Sequence, residues 1–296
     1  PVPPVTTVEK KKIDDVIREK IILRMPLPFC DTPAFLFKPI KPLQPASAIL
    51  CLHGHGGYYA GKDMVANYEK AIPVAKECAK ALNYTYGETL AKKGYFTICP
   101  DAFHFGEKLP KWESNPQDEI CARWHLALTV FGLNAMGLTT YANMNIVSYL
   151  LSLPKIKYAG CVGLSFGGVQ AIFLTAIDKR IKAAVISGAL FNTISCLKKG
   201  IALCGAQSIP EMLKWFDYPD ILASLAPRPV LYEIMKKDNC FSYKTALKIY
   251  KFLKSVYRKN YSEKNLMLDI ANTDHRYSGK MVDVFFANNL REKNKK

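Results

Sequence analysis

Long apolar runs and paired cysteines are missing from this sequence. No apolar stretch reaches the ~18 residues that a membrane-spanning helix requires. The cysteines number nine, an odd count, and no two of them form a C-x-x-C pair, so neither a disulfide framework nor a thiolate zinc site is expected. We therefore predict a soluble protein of the reducing cytoplasm, the alternative being a secreted form that has already lost its leader.

Arginine is also scarce. Only eight of the 41 basic residues are Arg, and the other 33 are Lys scattered along the chain. Phosphate and base recognition usually depends on Arg, whose planar fork binds two oxygens at once. The net charge of +16 is therefore interpreted as a solvated, Lys-rich surface, and neither a nucleic acid nor a membrane is expected as a partner. The sequence leaves the oligomeric state open between a monomer and a homodimer.

The sequence instead contains enough hydrophobic residues to form a large core. Hydrophobic residues make up 49% of its 296 residues, and this length is near the upper limit for one hydrophobic core. We predict a single α/β domain over residues 1–296. Within it, the Pro-rich and then basic residues 1–12 are expected to form a loose arm, and residues 189–228 a cap over the site.

Strand-like and helix-like segments alternate along most of the chain. The runs Val16–Met25 and Ala34–Lys38 predict two antiparallel first strands. Later strands are predicted at Ser47–Leu52, Tyr95–Cys99, Ala159–Leu164, Ala183–Ser187, Pro229–Met235 and Leu266–Ile270, and helices at Asn134–Leu153, Val169–Ile177, Ser242–Tyr257 and Lys280–Asn289. This alternation indicates a mostly parallel central sheet of about eight strands flanked by helices. The long connections 56–94 and 189–228 are expected to form a pocket at the carboxyl ends of the strands.

The segment Gly163–Gly168 has the sequence Gly-Leu-Ser-Phe-Gly-Gly and lies between an apolar strand and an apolar helix. This pattern is typical of a nucleophile elbow, a sharp strand-to-helix turn that exposes a serine hydroxyl. Gly163 and Gly167 fit it because side chains there would collide across the turn. We predict that Ser165 is the nucleophile, the alternative being an ordinary serine in a Gly-rich loop.

A serine nucleophile needs a base and an orienting carboxylate, and in this kind of fold the chain order is Ser, acid, His. Of the five histidines, only His275 comes after Ser165, so we predict that it is the base. Asp238 directly follows a predicted strand and is predicted to be the acid. Glu233 and Asp220 are retained as substitutes.

Backbone N–H donors must stabilise the oxyanion of the tetrahedral intermediate. One is predicted to be the N–H of Phe166, directly after the nucleophile. The other is expected in the loop His53–Gly57, where we predict His55, with Gly56 as second choice. His53 and His55 also raise the alternative of a metal site. No acidic or thiol side chain lies at a compatible spacing nearby, so no metal ligand is predicted.

Aromatic residues in the loops predict the walls of an acyl pocket, with packing in the core as the alternative. The candidates are Phe103, Phe105, Trp124 and Phe241, together with Trp112. The acidic residues of Pro100–Glu107 are expected to bind backbone groups and to fix neighbouring loops.

Taken together, these motifs resemble the α/β-hydrolase superfamily, and within it the branch related to dienelactone hydrolases and acetyl xylan esterases. The resemblance extends over residues 20–285 and also includes Asp178–Ala184, Tyr218–Ile221 and Ala226–Pro229. It implies a serine esterase with neither a metal nor an organic cofactor. Dienelactone hydrolases have Cys at the nucleophile position, where this chain has Ser165, which makes a dienelactone a less expected substrate.

We therefore predict a carboxylic-ester hydrolase that acts on short-chain acyl esters through an acyl-enzyme intermediate. A thioesterase and a lactone hydrolase are enzymatic alternatives, because both would use the same triad. A non-catalytic binding protein of the same fold is the alternative from another class, because a fold alone does not set a function.

Overall fold

The computed structural model describes residues 2–56, 60–109, 120–198 and 204–290. Nine strands form one central sheet, one strand more than the sequence predicts. They are β1 (Val5–Ile13), β2 (Val16–Leu23), β3 (Thr32–Pro39), β4 (Ala46–Leu52), β5 (Phe96–Pro100), β6 (Ile156–Leu164), β7 (Ile181–Ser187), β8 (Val230–Met235) and β9 (Leu266–Ala271). Their order in the sheet is β1-β2-β3-β5-β4-β6-β7-β8-β9.

The sheet is antiparallel at one edge and parallel elsewhere. The pairs β1–β2, β2–β3 and β3–β5 are antiparallel, whereas every pair from β5 through β4 to β9 is parallel. The carboxyl ends of the parallel strands therefore meet at one edge, where the chemistry of such sheets lies.

Helices cover both faces of the sheet. The described helices are α1 (Lys62–Val65), α2 (Pro73–Ala81), α3 (Tyr86–Lys92), α4 (Ile120–Val130), α5 (Ala135–Ser152), α6 (Phe166–Ile177), α7 (Thr193–Lys198), α8 (Tyr218–Ala223), α9 (Tyr243–Lys259) and α10 (Val282–Asn289). Within the described ranges, none of them is both long and apolar enough to cross a membrane.

Strand β4 lies between two hydrophobic layers. Ala48, Leu50 and Leu52 pack into the layer that contains α5, α6 and α9. Ile49 and Cys51 pack into the opposite layer with α1, α2, α3 and α10. Both faces of the strand are buried, which explains why its sequence is a continuous apolar run rather than an alternating one.

The prediction of a loose arm over residues 1–12 is wrong for most of its length. Val5–Ile13 forms β1 and pairs with β2 along its whole length. Arg18 of β2 is buried and donates to Glu9 of β1 (Nη2–Oε1 3.0 Å) and to Glu69 (Nη1–Oε2 2.5 Å). The basic residues that suggested a solvated arm instead lie on an edge strand, where Lys discourages pairing with other chains.

Asp101, at the end of β5, joins two loops near the carboxyl edge. Its Oδ1 accepts the backbone N–H of Lys62 at 2.8 Å, and its Oδ2 accepts the N–H of Glu107 at 3.0 Å. The buried Lys62 ammonium donates to the same carboxylate at 2.9 Å. A Cβ on Gly61 or Gly106 would lie 2.2 Å from Oδ1, so both glycines are needed. The expectation that acidic residues here fix neighbouring loops is confirmed for Asp101.

Candidate active site

Ser165 occupies a strained turn between β6 and α6. Its backbone has φ 60° and ψ −122°, in a region that non-glycine residues rarely occupy. Its N–H donates to Ser187 O at 2.9 Å, which fixes the turn to the end of β7. A Cβ on Gly163 would lie 2.2 Å from the Gly167 carbonyl, and one on Gly167 would lie 2.0 Å from Leu52 O. The local geometry is therefore that of a nucleophile elbow, for which these two glycines are required.

His275 and Asp238 form a hydrogen-bonded pair beyond the ends of β8 and β9. The distance from His275 Nδ1 to Asp238 Oδ2 is 2.8 Å, and the two side chains are only 11% and 4% exposed. The other oxygen of Asp238 accepts the N–H groups of Cys240 and Phe241, each at 2.8 Å. These bonds hold the carboxylate in place and direct the Nδ1 proton of the imidazole toward it, so that Nε2 becomes the acceptor in the neutral ring.

The imidazole of His275 lies close to the elbow. A Cβ on Gly188 would lie 2.9 Å from His275 Cε1, and Gly188 directly follows Ser187, to which Ser165 is bonded. His275 Nε2 is buried and has no hydrogen-bond partner among the described residues, so no hydrogen bond joins it to Ser165. The structure therefore places Ser165, Asp238 and His275 near one another, and His275 Nε2 makes no hydrogen bond to a described residue.

Among the described residues, neither substitute acid is hydrogen-bonded to His275. Glu233 is fully buried in β8 and accepts the N–H groups of Ser278 (3.3 Å) and Gly279 (2.9 Å). Burial raises its pKa from 4.5 to about 7. Asp220 accepts the N–H of Asp217 at 2.8 Å and completes a capping box at the start of α8. Asp238 is therefore the carboxylate that the geometry pairs with the histidine.

The loop that follows β4 lies directly against the nucleophile. A Cβ on Gly54 would lie 3.3 Å from Ser165 Cβ, and His55 packs its ring on Phe166 at 5.0 Å between centroids. Phe166 is the first residue of α6, so its N–H has no acceptor within the helix. Both predicted oxyanion donors thus lie beside Ser165. Gly56 follows in the same loop, and Gly57 lies outside the described residues.

His53 supports this loop and does not serve as a ligand. Its Nε2 accepts the N–H of Ala102 and its Nδ1 pairs with Gly54 O, both at 2.9 Å. Burial lowers the pKa of His53 to about 4, so the ring is neutral. Gln170 of α6 donates to His53 O at 2.8 Å, and Tyr86 donates to Leu52 O at 2.5 Å. Sequence reasoning missed Gln170 and Tyr86, because nothing in their local pattern distinguishes them from ordinary residues of a helix.

The predicted pocket aromatics fall into two groups. Phe241 lies edge-on to His275 at 5.8 Å between ring centroids, and Phe105 stacks on Phe166 at 5.3 Å. Phe103 and Trp124 contact each other at 5.4 Å and both contact His104. Among the described candidates, Phe241 and Phe105 contact predicted catalytic or oxyanion residues. Trp112 lies outside the described residues.

Two thiols approach the imidazole of His55. His55 Nε2 lies 3.0 Å from Cys204 Sγ and 3.8 Å from Cys121 Sγ. His104 Nε2 lies 3.4 Å from the same Cys121 Sγ. The sequence argument against thiol partners was wrong because it considered nearby spacing, whereas the fold brings Cys121 and Cys204 from distant segments. The sequence gives only a weak indication of this cluster. Gly205, next to Cys204, is a residue that permits a close approach of its backbone to α4, where Cys121 lies.

A family model described as the Abhydrolase family matches residues 2–265, well over half of the chain. The chain belongs to the Abhydrolase family. This Abhydrolase chain is also 27% identical over 233 residues to YtaP of Bacillus subtilis (strain 168), a protein named as a suspected hydrolase; the match covers 76% of this chain and 71% of YtaP.

Two solved structures that are similar to the Abhydrolase chain are esterases by name. One from Bacteroides fragilis NCTC 9343, named provisionally as an acetyl xylan esterase, has a TM-score of 0.76 at 19% identity and covers 100% of this chain and 79% of its own. The glucuronoyl esterase of Solibacter usitatus has a TM-score of 0.65 at 14% identity, with coverages of 97% and 85%. With the nine-stranded sheet, these matches confirm the predicted α/β-hydrolase fold.

Proposed function

We propose that this protein is a serine carboxylic-ester hydrolase that acts on short-chain acyl esters through an acyl-enzyme. One observation carries the proposal: His275 is bonded to Asp238 through Nδ1 and keeps a buried, unpartnered Nε2 near the elbow of Ser165. A serine hydroxyl requires such a nitrogen to take its proton. Catalytic hydrogen bonds are often long before substrate binds, so the absence of a Ser165–His275 bond fits this role.

The proposed reaction has two halves. In the first, Ser165 Oγ attacks the ester carbonyl and its proton passes to His275 Nε2, while Asp238 stabilises the imidazolium. The N–H groups of Phe166 and His55 are proposed to bind the oxyanion. His275 then gives its proton to the leaving alcohol, and the acyl group remains on Ser165. In the second half, water loses a proton to His275 and attacks the acyl-enzyme, which releases the acid and restores the serine.

The comparisons support a carboxylic ester as the substrate class. The two similar structures are named as an acetyl xylan esterase and a glucuronoyl esterase, and both names describe hydrolysis of an ester. Phe105 and Phe241 lie against the oxyanion residue Phe166 and the base His275, and such aromatic walls favour a confined acyl group. Neither step of the proposed reaction requires a metal or an organic cofactor.

The first test is hydrolysis of p-nitrophenyl esters, from acetate to long chains, by the wild type and by Ser165→Ala. We expect an optimum at short chains and a loss of at least ~10³-fold in kcat for Ser165→Ala. Ser255→Ala on the exposed face of α9 is the matched control and should keep wild-type turnover. Equal, near-background rates in wild type and Ser165→Ala would contradict the proposal and indicate a binding protein. If thioesters or lactones are turned over faster than the oxygen esters, the proposed substrate class is wrong, whereas the proposed catalytic residues still hold.

A further inference from the structure

Four metal-binding side chains converge beside the predicted oxyanion loop. They are His55, His104, Cys121 and Cys204, which we call the sulfur–imidazole cluster. The donor atoms of His55, Cys121 and Cys204 all lie within 4.8 Å of one another, and His104 Nε2 lies 3.4 Å from Cys121 Sγ. We propose that this cluster binds one Zn²⁺ ion. The proposal does not depend on the esterase activity.

The spacing of the donors suits zinc. A tetrahedral Zn²⁺ has Zn–N distances of ~2.0–2.1 Å and Zn–S distances of ~2.3 Å, which place its ligand atoms about 3.5–3.8 Å apart. The corresponding separations here are 3.0 Å (His55–Cys204), 3.4 Å (His104–Cys121) and 3.8 Å (His55–Cys121). Shifts of about half an ångström would bring the donor atoms of His55, Cys121 and Cys204 to zinc spacing as three protein ligands. His104 contacts Cys121 Sγ from outside this group of three and supports that ligand.

The backbone around the cluster is shaped to bring these donors together. His104 has φ 54°, in the left-handed region that non-glycine residues rarely adopt, and this conformation directs its ring toward Cys121. A Cβ on Gly205 would lie 2.2 Å from Cys121 O, so only glycine lets the 204–207 segment approach α4 this closely. Cys121 and His104 are buried, and Phe105 packs on the His55 ring at 5.4 Å.

The chemistry of the donors selects the metal. Two thiolates and an imidazole favour Zn²⁺ over the oxygen-preferring Mg²⁺ and Ca²⁺. Binding would replace the two thiol protons, which pass to solvent, by two Zn–S bonds, without any change of oxidation state. The ion would join the oxyanion loop, α4 and the 204–207 segment at one point. It would thereby fix the position of His55.

The test is zinc stoichiometry on the full chain. The reduced protein is stripped with EDTA, reloaded with Zn²⁺, freed of excess metal and measured by plasma mass spectrometry, with circular dichroism as the check of folding. We expect one zinc per chain in the wild type, a loss of affinity greater than ~100-fold in Cys121→Ser and Cys204→Ser, and a loss of ~10–100-fold in His104→Asn. Cys240→Ser is the matched control, because Cys240 belongs to a second group of potential ligands with Asp238 and His275. It should keep one zinc.

A second measurement needs no variant. Co²⁺ added to the stripped wild type should produce thiolate-to-metal charge-transfer absorption, which appears only when cysteine binds the ion. Failure of the wild type to retain zinc, or undiminished zinc in Cys121→Ser, would overturn the proposal. Loss of zinc in Cys240→Ser alone would place the ion at the Asp238–His275 pair and would also overturn it. An intact mass lower by two hydrogens, with no zinc bound, would instead show a Cys121–Cys204 disulfide.

Discussion

At the scale of single residues, two carboxyl groups that lie near each other in the chain have different surroundings. Asp238 is bonded to an imidazole and to two backbone N–H groups, which together satisfy its charge. Glu233 is buried in β8, where it accepts two backbone N–H groups and is paired in register with Asp269 of β9. Burial raises the pKa of Glu233 to about 7, so at neutral pH this carboxyl is partly protonated.

Replacement of Glu233 by Gln should change how stability depends on pH. The native state retains a proton on Glu233 that the unfolded chain loses near its ordinary pKa of 4.5, so this carboxyl costs stability as the pH rises from about 4.5 to about 7. Glutamine cannot ionise. Between pH 5 and pH 8, the free energy of unfolding of Glu233→Gln should therefore rise by roughly 2–4 kcal/mol relative to the wild type.

Urea unfolding of both proteins at pH 5 and pH 8 measures this difference. The control is Glu77→Gln on the exposed face of α2, which should shift stability equally at the two values. A difference between Glu233→Gln and the wild type that is the same at pH 5 and pH 8 would show that Glu233 titrates normally in the folded protein.

At the scale of elements, the sequence predicts what a local pattern encodes. Continuous apolar runs identified the strands that are buried on both faces, such as β4, and the elbow sequence identified the strained strand-to-helix turn at Ser165. The role of Ser165 as nucleophile stays a prediction. Strand β1 was missed because only every fourth residue of it is even half-buried, so no period-two pattern appears. The contacts of Cys121 with Cys204 and His104 were missed for another reason. They depend on how distant segments pack, and no spacing along the chain encodes that.

Two loops at the carboxyl edge depend on one buried ion pair. The attraction of Asp101 keeps Lys62 charged although its side chain is only 1% exposed. Replacement of Asp101 by Ala would leave the Lys62 ammonium with only its partly exposed partners Glu107 and Asp63. It would also leave two backbone N–H groups without an acceptor. We expect Asp101→Ala to lose about 3–5 kcal/mol of unfolding free energy.

Denaturant unfolding would measure the loss, with Lys214→Ala as the control. Lys214 forms an exposed pair with Glu211 at 2.7 Å, whose removal should cost less than about 0.5 kcal/mol. The double variant Lys62→Met with Asp101→Leu should be more stable than Asp101→Ala, because it removes a buried charge that has lost its buried partner. Equal losses for Asp101→Ala and Lys214→Ala would mean that the buried pair does not hold the loops.

At the scale of the whole molecule, β1 closes one edge of the nine-stranded sheet. It covers the backbone of β2, and its Glu9 is bonded to the buried Arg18. Most of its other side chains are exposed, and three of them are Lys. Part of the positive charge of the chain is therefore placed on an edge strand, which is open to pairing with another chain.

Deletion of residues 1–13 should expose β2 and release the buried Arg18 from one of its carboxylates. We expect the shortened chain to form oligomers or aggregates in size-exclusion chromatography with light scattering, and its Tm to fall by at least ~4 °C. Deletion of residues 1–2, which precede the strand, is the control and should change neither. A shortened protein with the assembly state and Tm of the full chain would restore the interpretation of residues 1–12 as a loose arm.

The sheet order also has a consequence for folding. The predicted site combines residues from the ends of β4, β6, β8 and β9, and its Asp238–His275 bond joins residues 37 apart in the chain. Parallel pairing over such separations forms slowly, because each crossover must close a long loop before it gains contacts. During synthesis, the elbow at Ser165 leaves the ribosome about 110 residues before His275 does. During refolding, the rate at which turnover recovers should therefore report the pairing of β9, the last strand, and not the earlier collapse of the core.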